Sequence, residues 1–403
     1  MISYLRAIGI AILCCAGCSF DGSGLGGTAF DASPPPPPSP DAANPIADAA
    51  PVVPDAIVPD ADLRPPARRK LLTLQPGLNG ASLTDFPLPV LLAADAQLVA
   101  EARSDGRDIL FVDSDGVTVL DHEIERYDST TGALVAWVRV PTLSDGGRIY
   151  MTYGVDAADA DRQAPAAVWA GFTGVWHLSE PPADGAVYRD STGNGHDGSN
   201  QQSEVPTAAS GIAGPGLAFD GNNDRISLDN ADNGLDPGDA SFSLSAWVEV
   251  VATADDRDLV WYKGAFEANL AGYELSLGSG EWQARISDGN DGRTLAFSSQ
   301  PLLNQWRHLA AVVDRKENLF LVYVDGMLVD QATLDAIDAI NPVAITPRIG
   351  DETHPFRGVA DEVRLYDGAL SAPWLQVEAN SLLNPGVVVQ VGTEEMAPYP
   401  IIP

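Results

Sequence analysis

From about residue 71 onward the chain is interrupted every few residues by Gly, Asp or Asn, and the stretches between alternate apolar with polar side chains. Period two marks a strand with one face on a core, whereas a helix needs apolar positions three and four apart over a longer window. "TGVWHLSE", "PGLAFDG", "FSLSAWVEV", "WRHLAAVVD" and "VADEVRLYD" all read as strands. In "LFLVYVDGMLVDQ", Asp325-Gly326 separates two such runs and supplies the positive φ angles of a tight hairpin turn. One stretch reads as a helix, "SAPWLQVEANSLL", with Ser371 as N-cap and Pro373 in the first turn. Strands of this kind bury their apolar faces only by closing sheet on sheet, and about a dozen of them after residue 166 predict a large antiparallel jelly roll.

The expected fold class is all-β: a small β-sandwich over 71–165 followed by the jelly roll over 166–395, with a tail at 396–403. In the first unit "RDILFVDSDGVTVLDHEIERYD" predicts strand, turn and strand about Asp115-Gly116, and "GALVAWVRVPTL" and "GGRIYMTYGV" predict two more strands. "AWVRV" at 136–140 resembles "AWVEV" at 246–250, and alternation alone can produce such a pair.

The opening "MISYLRAIGIAILCCAGC" has a single Arg, an apolar run from Ala7 to Ala16 and small residues before Cys18. This is a signal-peptide layout over 1–17, and the run is too short to span a bilayer. "CAGC" resembles a bacterial lipobox with Cys15 where Leu is usual, which makes Cys18 the expected lipid anchor. Ser19, in place of the Asp that retains some lipoproteins at the inner membrane, points to the outer membrane. Residues 18–70, rich in Pro, Ala and Asp, cannot bury enough apolar surface to fold and are expected to be a disordered stalk ending in "ARRK". All three cysteines, Cys14, Cys15 and Cys18, precede this stalk, so the folded part has no disulfide, thiolate ligand or cysteine nucleophile. Against 56 Asp and Glu stand 23 Lys and Arg, a net charge of -33. That balance excludes nucleic acid as a partner and charge-driven docking on anionic lipid, and suits an extracytoplasmic protein that attracts divalent cations.

"DSTGNGHDG" at 190–198 concentrates oxygen donors. Asp190, Thr192 and Asn194 occupy the first, third and fifth positions of a calcium-type loop, with Gly195 sixth, but Gln201 stands where an EF-hand needs Glu. The same residues make an Asx turn without metal, and both readings stay open. Asp361 begins "DEVRLYDG", and neighbouring terminal strands would bring it toward Asp190 to complete a site; the alternative is an ion pair with a nearby Arg. "FDGNNDRI" and "VDSDG" read better as turns. His122, His177, His196, His308 and His354 are scattered, and no His-Glu-x-x-His, Gly-x-Ser-x-Gly or glycosidase carboxylate pattern occurs, so no catalytic residue is expected. Trp247 and Trp306 sit in apolar strands and read as core. Trp261, Tyr262 and Trp282 lie near turns and are the expected ligand contacts, since exposed aromatic rings can stack on sugars.

In their order, "DSTGNGHDG", "GPGLAFDGNNDRISL", "FSLSAWV", "NQWRHLAAVVD", "LVYVDGMLV" and "FRGVADEVRLYDGALS" resemble the laminin-G-like, concanavalin A-like jelly rolls of bacterial surface proteins. The resemblance implies two curved antiparallel sheets, binding of glycans or proteins, and structural calcium in many members. "DGRDILFVDSDG", "HEIERYD", "AWVRVPTL" and "IYMTYG" resemble a bacterial domain of undefined function, often fused to such a jelly roll and found in some TolQ/ExbB-like proteins. The apolar helices of a channel are missing, so that function does not carry over. The expectation is a non-catalytic cell-surface lipoprotein that binds a polysaccharide or a surface protein, with calcium as its one candidate cofactor. The competing readings are a structural envelope protein without a glycan ligand and a glycan hydrolase.

Overall fold

The computed structural model describes residues 67–154, 161–252, 257–264, 270–278, 280–296, 302–342 and 345–398. Cys18 and the stalk up to residue 66 lie outside the described residues. Among the described residues strand makes up 49% and helix 9%, as an all-β fold requires.

The first sandwich contains β1 (Arg68–Leu74), β2 (Ser82–Leu92), the short α1 (Ala96–Glu101), β3 (Leu110–Asp113), β4 (His122–Asp128), β5 (Ala133–Ser144) and β6 (Arg148–Tyr153). After α2 (Pro165–Val168), the second begins with β7 (Phe172–Trp176), β8 (Val187–Tyr188), β9 (Gly198–Ser199), β10 (Thr207–Ser210), β11 (Pro215–Asp220), β12 (Arg225–Leu228) and β13 (Phe242–Val250). It continues through β14 (Arg257–Lys263), β15 (Ala271–Gly278), β16 (Glu281–Asp288), β17 (Gly292–Ala296), β18 (Trp306–Asp314), β19 (Leu319–Val324), β20 (Met327–Thr333), β21 (Arg348–Gly350) and β22 (Arg357–Tyr366). The chain then forms α3 (Ala372–Leu383), α4 (Pro385–Val388) and β23 (Val389–Met396).

The jelly roll stacks two eight-stranded antiparallel sheets. One runs β10-β11-β22-β13-β18-β19-β20 with β7 on β22, and the other runs β17-β16-β15-β14-β21-β12-β9-β8. Its core is apolar throughout, with Trp176, Trp261, Trp282, Leu244, Val363 and Leu365 among its buried members. The Asp325-Gly326 hairpin forms as read, with φ of 50° and 74° and Val324 paired with Met327. Ser371 caps α3 by accepting the Trp374 N–H.

Two boundaries differ from the sequence reading. β1 starts at Arg68, inside the expected stalk, because Arg69 reaches Glu395 at 2.7 Å and Lys70 pairs with Asp95. The C-terminal segment does not belong to the jelly roll: β23 pairs antiparallel with β1, giving the first sandwich the sheet β23-β1-β6-β3 opposite β2-β5-β4. Val377, Val388 and Val389 join the core of the first sandwich. The jelly roll is thus inserted between the strands of the smaller domain.

The two sandwiches meet along a seam within one compact unit. On β5, Leu134, Ala136 and Val138 face the first core, while Val135 and Trp137 face the seam, where Trp169, Phe172, Val175, Trp247 and Leu382 pack against them. Both strands of the "AWV" pair therefore place their tryptophan in this one cluster. α3 lies against both sandwiches, with Trp374 on Phe86 of β2 at 4.8 Å and Leu375 packed on Ala310 and Tyr323.

Candidate functional site

The loop after β8 is a turn held by its own donors. Asp190 Oδ1 accepts the N–H of Val175 at 3.1 Å and of Thr192 at 3.0 Å, and Oδ2 accepts the N–H of His196 at 3.2 Å. Asn194 donates Nδ2 to the carbonyls of Phe172 and Thr173, tying the loop to the start of β7. Asp361 has separate work. Its Oδ2 accepts the N–H of Ile212 at 2.8 Å and of Ala213 at 3.0 Å, which fastens the turn between β10 and β11. Gly211 makes this approach possible, since a Cβ there would lie 2.2 Å from Oδ2. Of the three expected metal ligands, Asp190 and Asn194 share one loop, and Asp361 serves another.

The expected aromatic contacts are corrected by the structure. Trp261 and Trp282 are 0% and 1% exposed. Trp261 packs on Trp176 and Tyr273 in the jelly-roll core. A bulge between Leu259 and Trp261 shifts the register of β14, and Trp282 is the first inward residue of β16 rather than part of the preceding turn. Tyr262 is 9% exposed, with the Arg348 guanidinium 5.5 Å above its ring. None of the three presents a ring to a ligand.

Asn194 instead helps to line a cleft of about 480 Å³ at one end of the jelly roll, together with Thr173, His196, Asp232, Asp236 and Asp367. Gly234 and Leu235 complete one wall; Gly234 lies so near the His196 ring that a Cβ would come within 2.7 Å. The Asp232 side chain is 65% exposed. Asp236 is held by Lys263 at 2.7 Å and by Asn230 at 3.2 Å through Oδ1, while its Oδ2 is buried without a hydrogen-bond partner. The cleft therefore combines the exposed carboxylates of Asp232 and Asp367 and the Asn194 amide with the small apolar side chains of Pro237 and Ala240, features of a small-ligand seat.

A second constellation lies in the seam and was missed in the sequence. Glu123 and Glu125 of β4, His177 just after β7, Glu362 and Arg364 of β22 and Glu378 of α3 converge there. His177 Nδ1 is 2.8 Å from Glu362 Oε1 and 3.6 Å from Glu125 Oε2, and its Nε2 is 3.3 Å from Glu123 Oε2. Arg364 donates to Glu362 at 2.6 Å and to Glu378 at 3.0 Å while its guanidinium stacks over Trp137 and Trp169 at 4.4 and 4.9 Å. Burial opposes charge on His177, but Glu362, Glu123 and Glu125 outweigh it and raise its pKa well above the ordinary imidazole range. Burial raises Glu125 far above the carboxylate range, with Glu362 and Asp361 adding to the effect. Burial would also raise Glu378, yet hydrogen bonding and charge from His308 and Arg364 bring it down to about 2. Glu125, His177 and Glu362 each offer one metal-ligating atom within 4.8 Å of the others. The available sequence signal was the pair of acids two apart in "HEIER", at the spacing of one strand face.

Residues 220–376 match the model of the concanavalin A-like lectin/glucanases superfamily, and residues 105–177 match that of a domain of unknown function (DUF2341). No curated protein matches the chain. Among solved structures, the binding domain of Paraclostridial Mosquitocidal Protein 1 aligns with a TM-score of 0.44 and 15% identity over 53% of each chain. The botulinum neurotoxin serotype D ligand binding domain, in complex with N-acetylneuraminic acid, aligns with a TM-score of 0.42 and 12% identity, over 54% of this chain and 53% of that one. The chain thus spans about half the length of the solved structures it matches. Sheet architecture and family match together give the second sandwich a concanavalin A-like jelly-roll fold, with the match to the laminin-G-like model over residues 220–376 and the match to the domain of unknown function before it.

Proposed function

We propose that the jelly roll is a non-catalytic binding module for carbohydrate and that the cleft beside Asn194 is its ligand seat. The observation that carries this reading is the lining of the cleft. Asp232 and Asp367 are exposed acceptors suited to sugar hydroxyls, and Pro237 and Ala240 give a small apolar surface beside them. Its volume suits one or two sugar residues at the tip of a longer chain. The lipobox-like "CAGC" and the Pro-rich stalk support a place at the cell envelope, with Cys18 as anchor and the outer membrane as the favoured site.

The test is a glycan and polysaccharide array probed with the purified chain, with calcium and with chelator. Retention that falls at least tenfold in Asp232→Ala and Asp367→Ala supports the cleft as the seat. Its loss in chelator would assign calcium a part. An absence of retention under both conditions overturns the carbohydrate reading in favour of a protein partner or a structural envelope role. Product release from any retained glycan would overturn the non-catalytic reading.

A further inference from the structure

We propose that Glu125, His177 and Glu362 form a binding site for a divalent first-row metal cation of zinc type, set in the seam between the two sandwiches. The three donors come from both domains: Glu125 from the first sandwich, and His177 and Glu362 from the jelly roll. A cation there would join the domains by direct bonds.

The backbone is shaped to present these side chains. Glu125 sits at a bulge in β4, between Ile124 paired with Ala136 and Arg126 paired with Val135. Glu362 sits at a bulge in β22, where the register to β13 shifts between Ser245 and Trp247, and its φ is 50°. A bulge re-aims a side chain at the expense of ladder pairing, and a non-glycine residue at positive φ within a strand is costly. A bulge falls on each carboxylate of the trio, and the positive φ falls on Glu362.

Each donor also has an outer partner that fixes it. Glu123 faces Nε2 of His177 and itself accepts from Trp169 Nε1 at 2.6 Å and Ser191 Oγ at 2.8 Å. A cation would displace the proton from Nδ1 and leave the one on Nε2 donated to Glu123, the carboxylate-histidine arrangement found behind metal ligands. Arg364 holds Glu362 by Oε2 and leaves Oε1 toward His177. Trp137 Nε1 donates to Glu125 Oε2 at 3.0 Å. The other oxygen of Glu125, Oε1, is buried without a hydrogen-bond partner, on a side chain only 2% exposed. A buried, unpaired carboxylate oxygen is expensive to desolvate and calls for a cation or a proton. Five acids, Glu123, Glu125, Asp361, Glu362 and Glu378, gather here with Arg364, His177 and His308, so the site is rich in oxygen donors. One imidazole nitrogen with carboxylate oxygens, in a dry pocket walled by tryptophan, suits zinc-type ions better than calcium, which takes six to eight oxygens.

The test uses the whole purified chain, because a buried site is loaded on folding. The protein is unfolded in denaturant with chelator, then refolded with Co²⁺, with Zn²⁺ or with neither. Stoichiometric metal after gel filtration, and a visible Co²⁺ absorption that Zn²⁺ abolishes, are the expected results. Glu125→Gln and Glu362→Gln should weaken retention at least tenfold, while Asp232→Ala in the cleft should not change it. Wild-type protein that refolds to the same stability with and without metal and retains none would overturn the site. Equal retention by the two Gln variants and the wild type would overturn it too, by placing the ion elsewhere. Should a Gln variant fail to refold, the wild-type Co²⁺ spectrum decides, since imidazole and carboxylate ligation at low coordination number gives a band that a hydrated surface ion lacks. Glycan retention is read separately, so the two proposals fail independently.

Discussion

The two faces of β22 are equally buried and chemically opposite. Val363 and Leu365 enter the jelly-roll core, 0% and 3% exposed; Glu362 and Arg364 turn into the seam, 0% and 2% exposed. The apolar face gains stability from area removed from water and needs no partner of fixed geometry. The polar face keeps its charges only because each meets an opposite charge or a donor, and such an arrangement gives specificity of docking rather than much net stability. A fold core and a domain junction are thus built on one strand, and they should respond differently to substitution.

The sharpest way to break the comparison is to remove one charge. Arg364→Ala leaves Glu362 and Glu378 buried without their cation and should cost about 3–5 kcal/mol in urea unfolding. Leu365→Ala on the other face should cost about 2–5 kcal/mol through its cavity. The contrast lies in the rescue. Replacing the polar set together, Glu362→Gln with Arg364→Met and Glu378→Gln, should recover most of the loss, because no charge is then left unpaired. If the triple variant is as unstable as Arg364→Ala alone, the junction is as intolerant as the core and the distinction fails.

A pH titration sharpens it next. The folded-state pKa of Glu378 is depressed from 4.5 to about 2, so its contribution is complete above 4.5 and is lost as pH falls toward 2. A displacement of that size corresponds to about 3 kcal/mol. Chemical denaturation between pH 5 and 2 should show this loss in wild type and a flatter acid limb in Glu378→Gln. Smaller still, Gly211→Ala should cost about 1–3 kcal/mol, because its Cβ would displace the Asp361 carboxylate from the Ile212 and Ala213 N–H groups. The smallest effect is at the edge of the seam, where Ser371→Ala removes the α3 cap for about 1 kcal/mol, read from the urea midpoint.

Strands, turns and the α3 cap were legible because each rests on local chemistry: alternation, Asp-Gly pairs, a Ser before a Pro. What was illegible depends on register. Bulges beside Trp261, at Glu125 and at Glu362 each reset the period-two count, so aromatic residues assigned to the surface turned inward and two acids that alternation did not single out became buried. Asn194 was read from its loop chemistry as a candidate metal ligand; its place on the cleft beside Asp232 and Asp367 comes only from the tertiary fold. The likeness of "AWVRV" and "AWVEV" carried information that alternation alone could not decode: both strands are covered on two faces, and Trp137 and Trp247 meet in one cluster.

The pairing of β23 with β1 sets an order of assembly. Arg69 and its partner Glu395 are 326 residues apart, so the first domain to leave the ribosome is the last to be completed. Its β1 edge stays unpaired through synthesis while the inserted jelly roll, whose strands are contiguous, has all it needs to fold. Such a waiting edge is a template for foreign strands. Arg68 and Arg69, set on that edge, keep it charged and unattractive to them until the acidic C-terminal strand arrives.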